Sequence, residues 1–233
     1  YLISGFADEI AQDLTTQLES LKKLDMRYME MRGVDGNNLI FHKPEKVKEI
    51  KDRLDDAGVS LSALGSPLGK IGISDPFEKH FEEFKRAIEI AHQMDCKNIR
   101  MFSFYIPEEK NHDLYRDEVL RRTEQMVKLA ASKNLVLLHE NEKGIYGDVA
   151  SRCLDLMQNF YGQNYQCPFD FANFVQCKQD TLEAYDMLSP YISYIHVKDA
   201  LLATGEVVPG GMGDGHLKEI FEKLDMKHGK ILE

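Results

Sequence analysis

Short apolar runs rich in branched or aromatic residues alternate along the chain with longer stretches whose apolar positions recur every three or four residues. The first kind predicts buried strands at LISGF (2–6), YMEMR (28–32), VSLSALG (59–65), NIRMFSF (98–104), LVLLHE (135–140), YQCPFD (165–170), YISYIHV (191–197) and KILE (230–233). Pro168 weakens the sixth of these, because proline gives no hydrogen to a strand ladder. Between them lie helical segments. Leu14, Leu18, Leu21 and Leu24 share one face, and Gly58 closes a helix over 44–58. Ser74-Asp75-Pro76 supplies an N-cap candidate and a first-turn proline before the stripe Phe77, Phe81, Phe84, Ile88 and Ala91. Further helices are expected near 111–133, 148–161, 178–188 and 216–225.

The repeat is about 30 residues, the size of one βα unit. Strict β–α alternation over eight strands predicts a parallel sheet closed into a (β/α)8 TIM barrel, in a single domain over residues 1–233. No Gly-rich phosphate fingerprint follows the first strand, which argues against a dinucleotide-binding sheet.

A net charge of −10 disfavours nucleic-acid binding, which needs clustered Lys and Arg to neutralise phosphate. No apolar run is long enough to span a membrane, and no signal peptide is expected before Tyr1. Cys96, Cys153, Cys167 and Cys177 form no CxxC pair and are expected to be buried reduced thiols of a cytoplasmic protein.

In a (β/α)8 barrel the chemistry sits at the carboxyl ends of the strands. Those ends carry Asp8 and Glu9; Glu30 and Arg32; Ser66 and Lys70; Ser103 and Tyr105; Glu140 and Glu142; Asp170 and Asn173; His196, Lys198 and Asp199; and Glu233. Glu140, Asp170, His196 and Glu233 stand on four consecutive strands. Three carboxylates at one mouth repel one another unless a positive charge lies between them. One divalent cation (Mn, Mg, Co or Zn) suits three oxygens and an imidazole. By strand alternation His139 faces the helices, and Asn141 is expected to turn away. Lys198 and Asp199 could pair with each other or serve a substrate. Asp214 in GGMGDGH is expected to cap the following helix. His80, His92, His112 and His228 are expected at the surface.

The segments LLHENEKGIYGD, FDFANFVQ, YIHVKDA and GGMGDGH resemble the xylose-isomerase-like TIM-barrel superfamily, also described as AP endonuclease family 2-like. GFADEI, MRGVDGNNL and GSPLGKI are similar to its branch of sugar-phosphate isomerases and epimerases. The resemblance implies metal ligation by Glu140, Asp170, His196 and Glu233. It implies proton transfer by Glu140 and Glu233 through an enediolate, and a small sugar, sugar phosphate, polyol or hydroxy-keto acid as substrate. Arg32, Ser66, Glu142, Asn173, Lys198 and His216 are the expected substrate contacts. Asn173 stands where some members have a histidine, which favours a single metal. A further helix after residue 233 and a homodimer are also implied. The same site could run a dehydratase acting on a polyol or inosose. An abasic-site endonuclease fits poorly, because the ends of strands two to four lack its extra histidines. A non-catalytic sugar-binding barrel would need no complete ligand set.

Overall fold

The structure, a computed structural model, describes residues 1–228. The expected eighth strand, with Glu233, lies outside the described residues. The chain forms two compact units.

The first unit comprises residues 1–69, 75–101 and 125–137. Its parallel strands are β1 (Ser4–Gly5), β2 (Tyr28–Met31), then, beyond a small antiparallel hairpin of β3 (Gly33–Val34) and β4 (Asn37–Asn38), β5 (Ser60–Gly65) and β6 (Asn98–Met101). Neighbours in the ladder are β1-β2-β5-β6, so each crossover adds a strand beside the previous one. The crossovers contain α1 (Leu14–Lys23), α2 (Pro44–Ala57) and α3 (Phe77–Gln93). Of the stripe predicted on α1, Leu14 and Leu21 are buried, Leu18 is half-buried and Leu24 is exposed just past the helix end. On α3, Phe77, Phe84, Ile88 and Ala91 are buried and Phe81 is half-buried; α2 buries Val47, Ile50 and Leu54. The Asp13 carboxylate caps α1 by accepting from the Thr16 N–H, and Gly58 ends α2 at φ 66°, a conformation that costs glycine little. α3 starts one residue later than expected. Pro76 itself takes the N-cap position and makes no side-chain cap bond.

The second unit comprises residues 70–74, 102–124 and 138–233. α4 (Arg116–Ser132), preceded by a short 3-10 turn at His112–Tyr115, and β7 (Val136–His139) each run from one unit into the other. After α5 (Ala150–Phe160), β8 (Tyr165–Asp170) leads straight into α6 (Phe171–Gln176) and α7 (Thr181–Leu188). β9 (Ile192–His196) pairs parallel with β8 and places Asp170 beside His196. Pro168 does not prevent β8. The ladder shifts register between Cys167 and Pro168, a bulge that accommodates a residue with no N–H to give. A small hairpin of β10 (Asp199–Ala200) and β11 (Val207–Val208) precedes α8 (Leu217–His228). No helix among the described residues is long and apolar enough to cross a membrane.

Two sequence expectations, on His80 and Asp214, need correction. His80 is buried rather than superficial: its Nε2 accepts the Gly69 N–H at 2.7 Å, so it fastens the loop after β5. Glu30 faces the Arg100 guanidinium at 3.5 Å, whereas Arg32 pairs with Asp8 at 3.0 Å. Asp214 does not cap α8; its carboxylate accepts the Leu202 N–H instead.

Candidate metal centre

Within the second unit, Glu140 follows the last residue of β7 and Asp170 and His196 end β8 and β9, and the ligand atoms of the three lie within 4.8 Å of one another. All three are buried, at 4%, 2% and 5% exposure. The cause is local. Buried Leu137, Leu138 and His139 precede Glu140, and buried Phe169 precedes Asp170, so both carboxylates emerge from a dry interior while still sheltered by it. His196 Nδ1 lies 3.0 Å from Glu140 Oε1 and 3.8 Å from Asp170 Oδ2.

Asp170 has two tasks. Its Oδ1 accepts the Asn173 N–H at 2.8 Å and so caps α6, leaving Oδ2 turned to His196. Burial pushes the Asp170 carboxyl up to about 6, with the Lys198 ammonium and His196 acting in the opposite sense and Glu140 adding to the rise. A buried carboxylate that resists ionisation, next to a second one, is a group in want of a cation. Two carboxylate oxygens and an imidazole are the hard-to-borderline donors that a divalent ion takes. The residues present therefore fit the expected metal.

The surroundings hold this set in place. Asn173 Nδ2 donates to the Asn141 carbonyl at 2.8 Å and reaches Glu140 Oε1 at 3.4 Å. Lys198 Nζ donates to Asn173 Oδ1 at 3.0 Å and lies 3.3 Å from Asp170 Oδ2. Lys198 does not pair with Asp199. That buried carboxylate accepts four backbone N–H groups: Ala200 and Gly215 on Oδ1, Gly211 and Gly213 on Oδ2, all between 2.8 and 3.0 Å. The Gly-rich segment thus wraps an anion of the protein's own. A Cβ at Gly213 would come 2.5 Å from Asp199 Oδ1, which explains the glycine there. Thr181 Oγ1 donates to the Gly215 carbonyl at 2.8 Å and lies 3.0 Å from His216 Nδ1, so His216 is engaged with α7.

Of the other expected contacts, Asn173 and Lys198 join the triad. Glu142 instead forms an ion pair with Lys70 at 2.7 Å and accepts from the Tyr105 hydroxyl at 3.4 Å. In the first unit, Arg32 is held by Asp8 and Glu9 and stacks over Phe6, and the Ser66 hydroxyl donates to the Arg100 carbonyl. His139 is fully buried, stacked beside Tyr165, with its imidazole pushed down to about 4 by burial. It packs, as strand alternation predicted. Sequence reasoning missed Asn141, which is buried and bonded to the Asp170 backbone rather than turned away.

A family model described as xylose isomerase-like TIM barrel matches residues 18–229. A curated 3-dehydroshikimate dehydratase from Bacillus anthracis is 22% identical over 171 residues, covering 73% of this chain. The match spans 61% of that relative's length. Among solved structures, the probable 3-DHS dehydratase AsbF, involved in petrobactin synthesis in Bacillus anthracis, superposes with a TM-score of 0.77 at 19% identity. It covers 97% of this chain and 89% of its own. A D-tagatose 3-epimerase-like protein gives 0.77 at 18% identity, covering 97% and 86%. The chain belongs to the xylose isomerase-like TIM barrel family, and the (β/α)8 fold expected from its alternation is borne out.

Proposed function

We propose that this member of the xylose isomerase-like family is a divalent-metal-dependent isomerase or epimerase that moves a proton on a carbon next to the carbonyl of a small polyhydroxy substrate. The observation that carries the reading is the convergence of Glu140, Asp170 and His196, three buried ligand groups on successive strand ends. Glu140, Asp170 and His196 would hold the cation, and the family resemblance adds Glu233 as a fourth ligand. Bound there, the cation stabilises negative charge on the substrate's carbonyl and hydroxyl oxygens, which acidifies the intervening C–H.

The chain's own groups do the rest. The Glu140 carboxylate takes the proton and leaves an enediolate. Asn173 Nδ2, 3.4 Å from Glu140 Oε1, and His196 Nδ1, 3.0 Å from it, fix which way that carboxylate faces. The family resemblance gives the return of the proton to Glu233. Burial of the triad excludes bulk water, which strengthens each charge interaction and protects the intermediate.

A second reading is favoured by Lys198. Its ammonium, 3.3 Å from Asp170, is an acid placed to protonate a departing hydroxyl, so the same first step would end in loss of water. The similarity to a 3-dehydroshikimate dehydratase supports this outcome.

One experiment separates the two. Metal-loaded protein is incubated in deuterated water with a panel of ketoses, inososes and 3-dehydroshikimate. Deuterium in recovered substrate and its isomer supports the isomerase, and a dehydrated product supports the lyase. Glu140→Gln should abolish either. Exchange that survives in that variant removes Glu140 from the proton transfer.

A further inference from the structure

Two cations have a claim on the same oxygen. Asp170 Oδ1 is committed to the Asn173 N–H, so Oδ2 is the atom that Asp170 can offer to a metal. Lys198 Nζ lies 3.3 Å from that Oδ2. A divalent ion bound at Oδ2 and an ammonium at this distance would repel, since like charges a few ångströms apart in a protein interact much more strongly than in water. The ammonium has somewhere to go. It is anchored on Asn173 Oδ1 at 3.0 Å, and the Lys198 side chain is 36% exposed, whereas the triad side chains are 6% exposed or less.

We infer that Lys198 is the internal counter-ion of this centre: its ammonium competes with the divalent cation for Asp170 Oδ2 and is displaced toward the open side when the cation binds. The idea rests on the metal reading above. It gives Lys198 a role before any substrate arrives, because it neutralises a buried carboxylate that would otherwise be costly to ionise. It also couples the two binding events. Each displaced ammonium becomes a positive group at the mouth, suited to an anionic substituent on the substrate.

A neutral side chain of similar length should therefore bind metal more tightly than lysine does. The test titrates Mn²⁺ and Zn²⁺ into the wild-type protein, Lys198→Met and Lys198→Arg, and reads the dissociation constants calorimetrically. Lys198→Met is expected to bind about tenfold more tightly and Lys198→Arg within a factor of about three of wild type, given the like-charge cost above. Weaker or unchanged binding by Lys198→Met overturns the inference and makes Lys198 a prop for Asp170. Failure of wild type and both variants to bind either ion overturns the metal reading itself. A second readout keeps the test open if Lys198→Met does not fold. In wild-type protein, acylation of Lys198, followed by mass spectrometry, should speed up on Mn²⁺ saturation while that of exposed Lys143 and Lys178 does not. Unchanged reactivity at Lys198 contradicts displacement.

Discussion

Asn141 and Asp170 bind each other through a reciprocal pair of hydrogen bonds. Asn141 Nδ2 donates to the Asp170 carbonyl and the Asp170 N–H donates to Asn141 Oδ1, both at 3.0 Å. The side-chain amide thus imitates a strand neighbour at the point where β7 has ended, and it ties the residue after Glu140 to the backbone of Asp170. Asn141→Ala leaves two buried backbone groups unsatisfied. It should cost about 2–6 kcal/mol of stability, at about 1–3 for each lost partner, and weaken metal binding at least tenfold, as loss of ligand-supporting contacts does. Denaturant unfolding and calorimetric metal titration check the two effects separately.

The pH dependence of metal binding follows from Asp170. Its carboxyl is pushed up to about 6 from 3.8, chiefly by burial. Between those values the folded protein holds a proton that the unfolded chain has lost. The stabilisation is complete below about 4 and disappears as pH rises through about 6. A cation must displace that proton. Affinity for Mn²⁺ should rise by up to about tenfold per pH unit below 6 and level off above 7. Titrations at a series of pH values test this; a flat profile from 5 to 7 contradicts it.

Much of the fold and the core of the centre could be read from the residues. The apolar runs that end abruptly at Glu140 and Asp170 mark strand ends, and strand ends are where a (β/α)8 barrel keeps its chemistry. What could not be read were the partners of individual polar side chains. Glu142 shares a strand face with Glu140 by spacing, but Lys70 claims it. Asn141 has the alternation of an outward residue, yet the strand has ended by that point and alternation no longer applies. Asp199 looked like half of an ion pair because Lys198 stands next to it, while its actual partners are the adjacent Ala200 N–H and three N–H groups 12 to 16 residues downstream. Such backbone partners leave no signature in residue type beyond the glycines that let the chain come close.

Those glycines make Asp199 testable. Asp199→Asn keeps the size but can supply only one acceptor oxygen for N–H groups that now use two. It should cost about 3–6 kcal/mol, since two bonds to a charged group worth about 1.5–3 each are lost, and open residues 209–216 to proteolysis. Limited digestion followed by mass spectrometry reads the second effect. Wild-type resistance in the variant would mean that other contacts hold the loop.

Gly147 tests the packing behind the centre. Its N–H donates to Ser103 Oγ at 2.7 Å, and a Cβ there would meet His139 Cε1 at 2.5 Å. His139 has no slack to give, being buried and stacked on Tyr165. Gly147→Ala should therefore destabilise by about 1–3 kcal/mol, the usual cost of overpacking, and, by pushing His139, shift the Glu140 that follows it enough to weaken metal binding. Thermal unfolding and metal titration of the variant check this.

The most direct test of the central claim is anomalous diffraction from crystals of the Mn²⁺-loaded protein. The account predicts one strong peak within about 2.0–2.6 Å of a Glu140 oxygen, Asp170 Oδ2 and a His196 ring nitrogen. Fully loaded crystals with no peak at that position, or with the ion bound elsewhere, would contradict it.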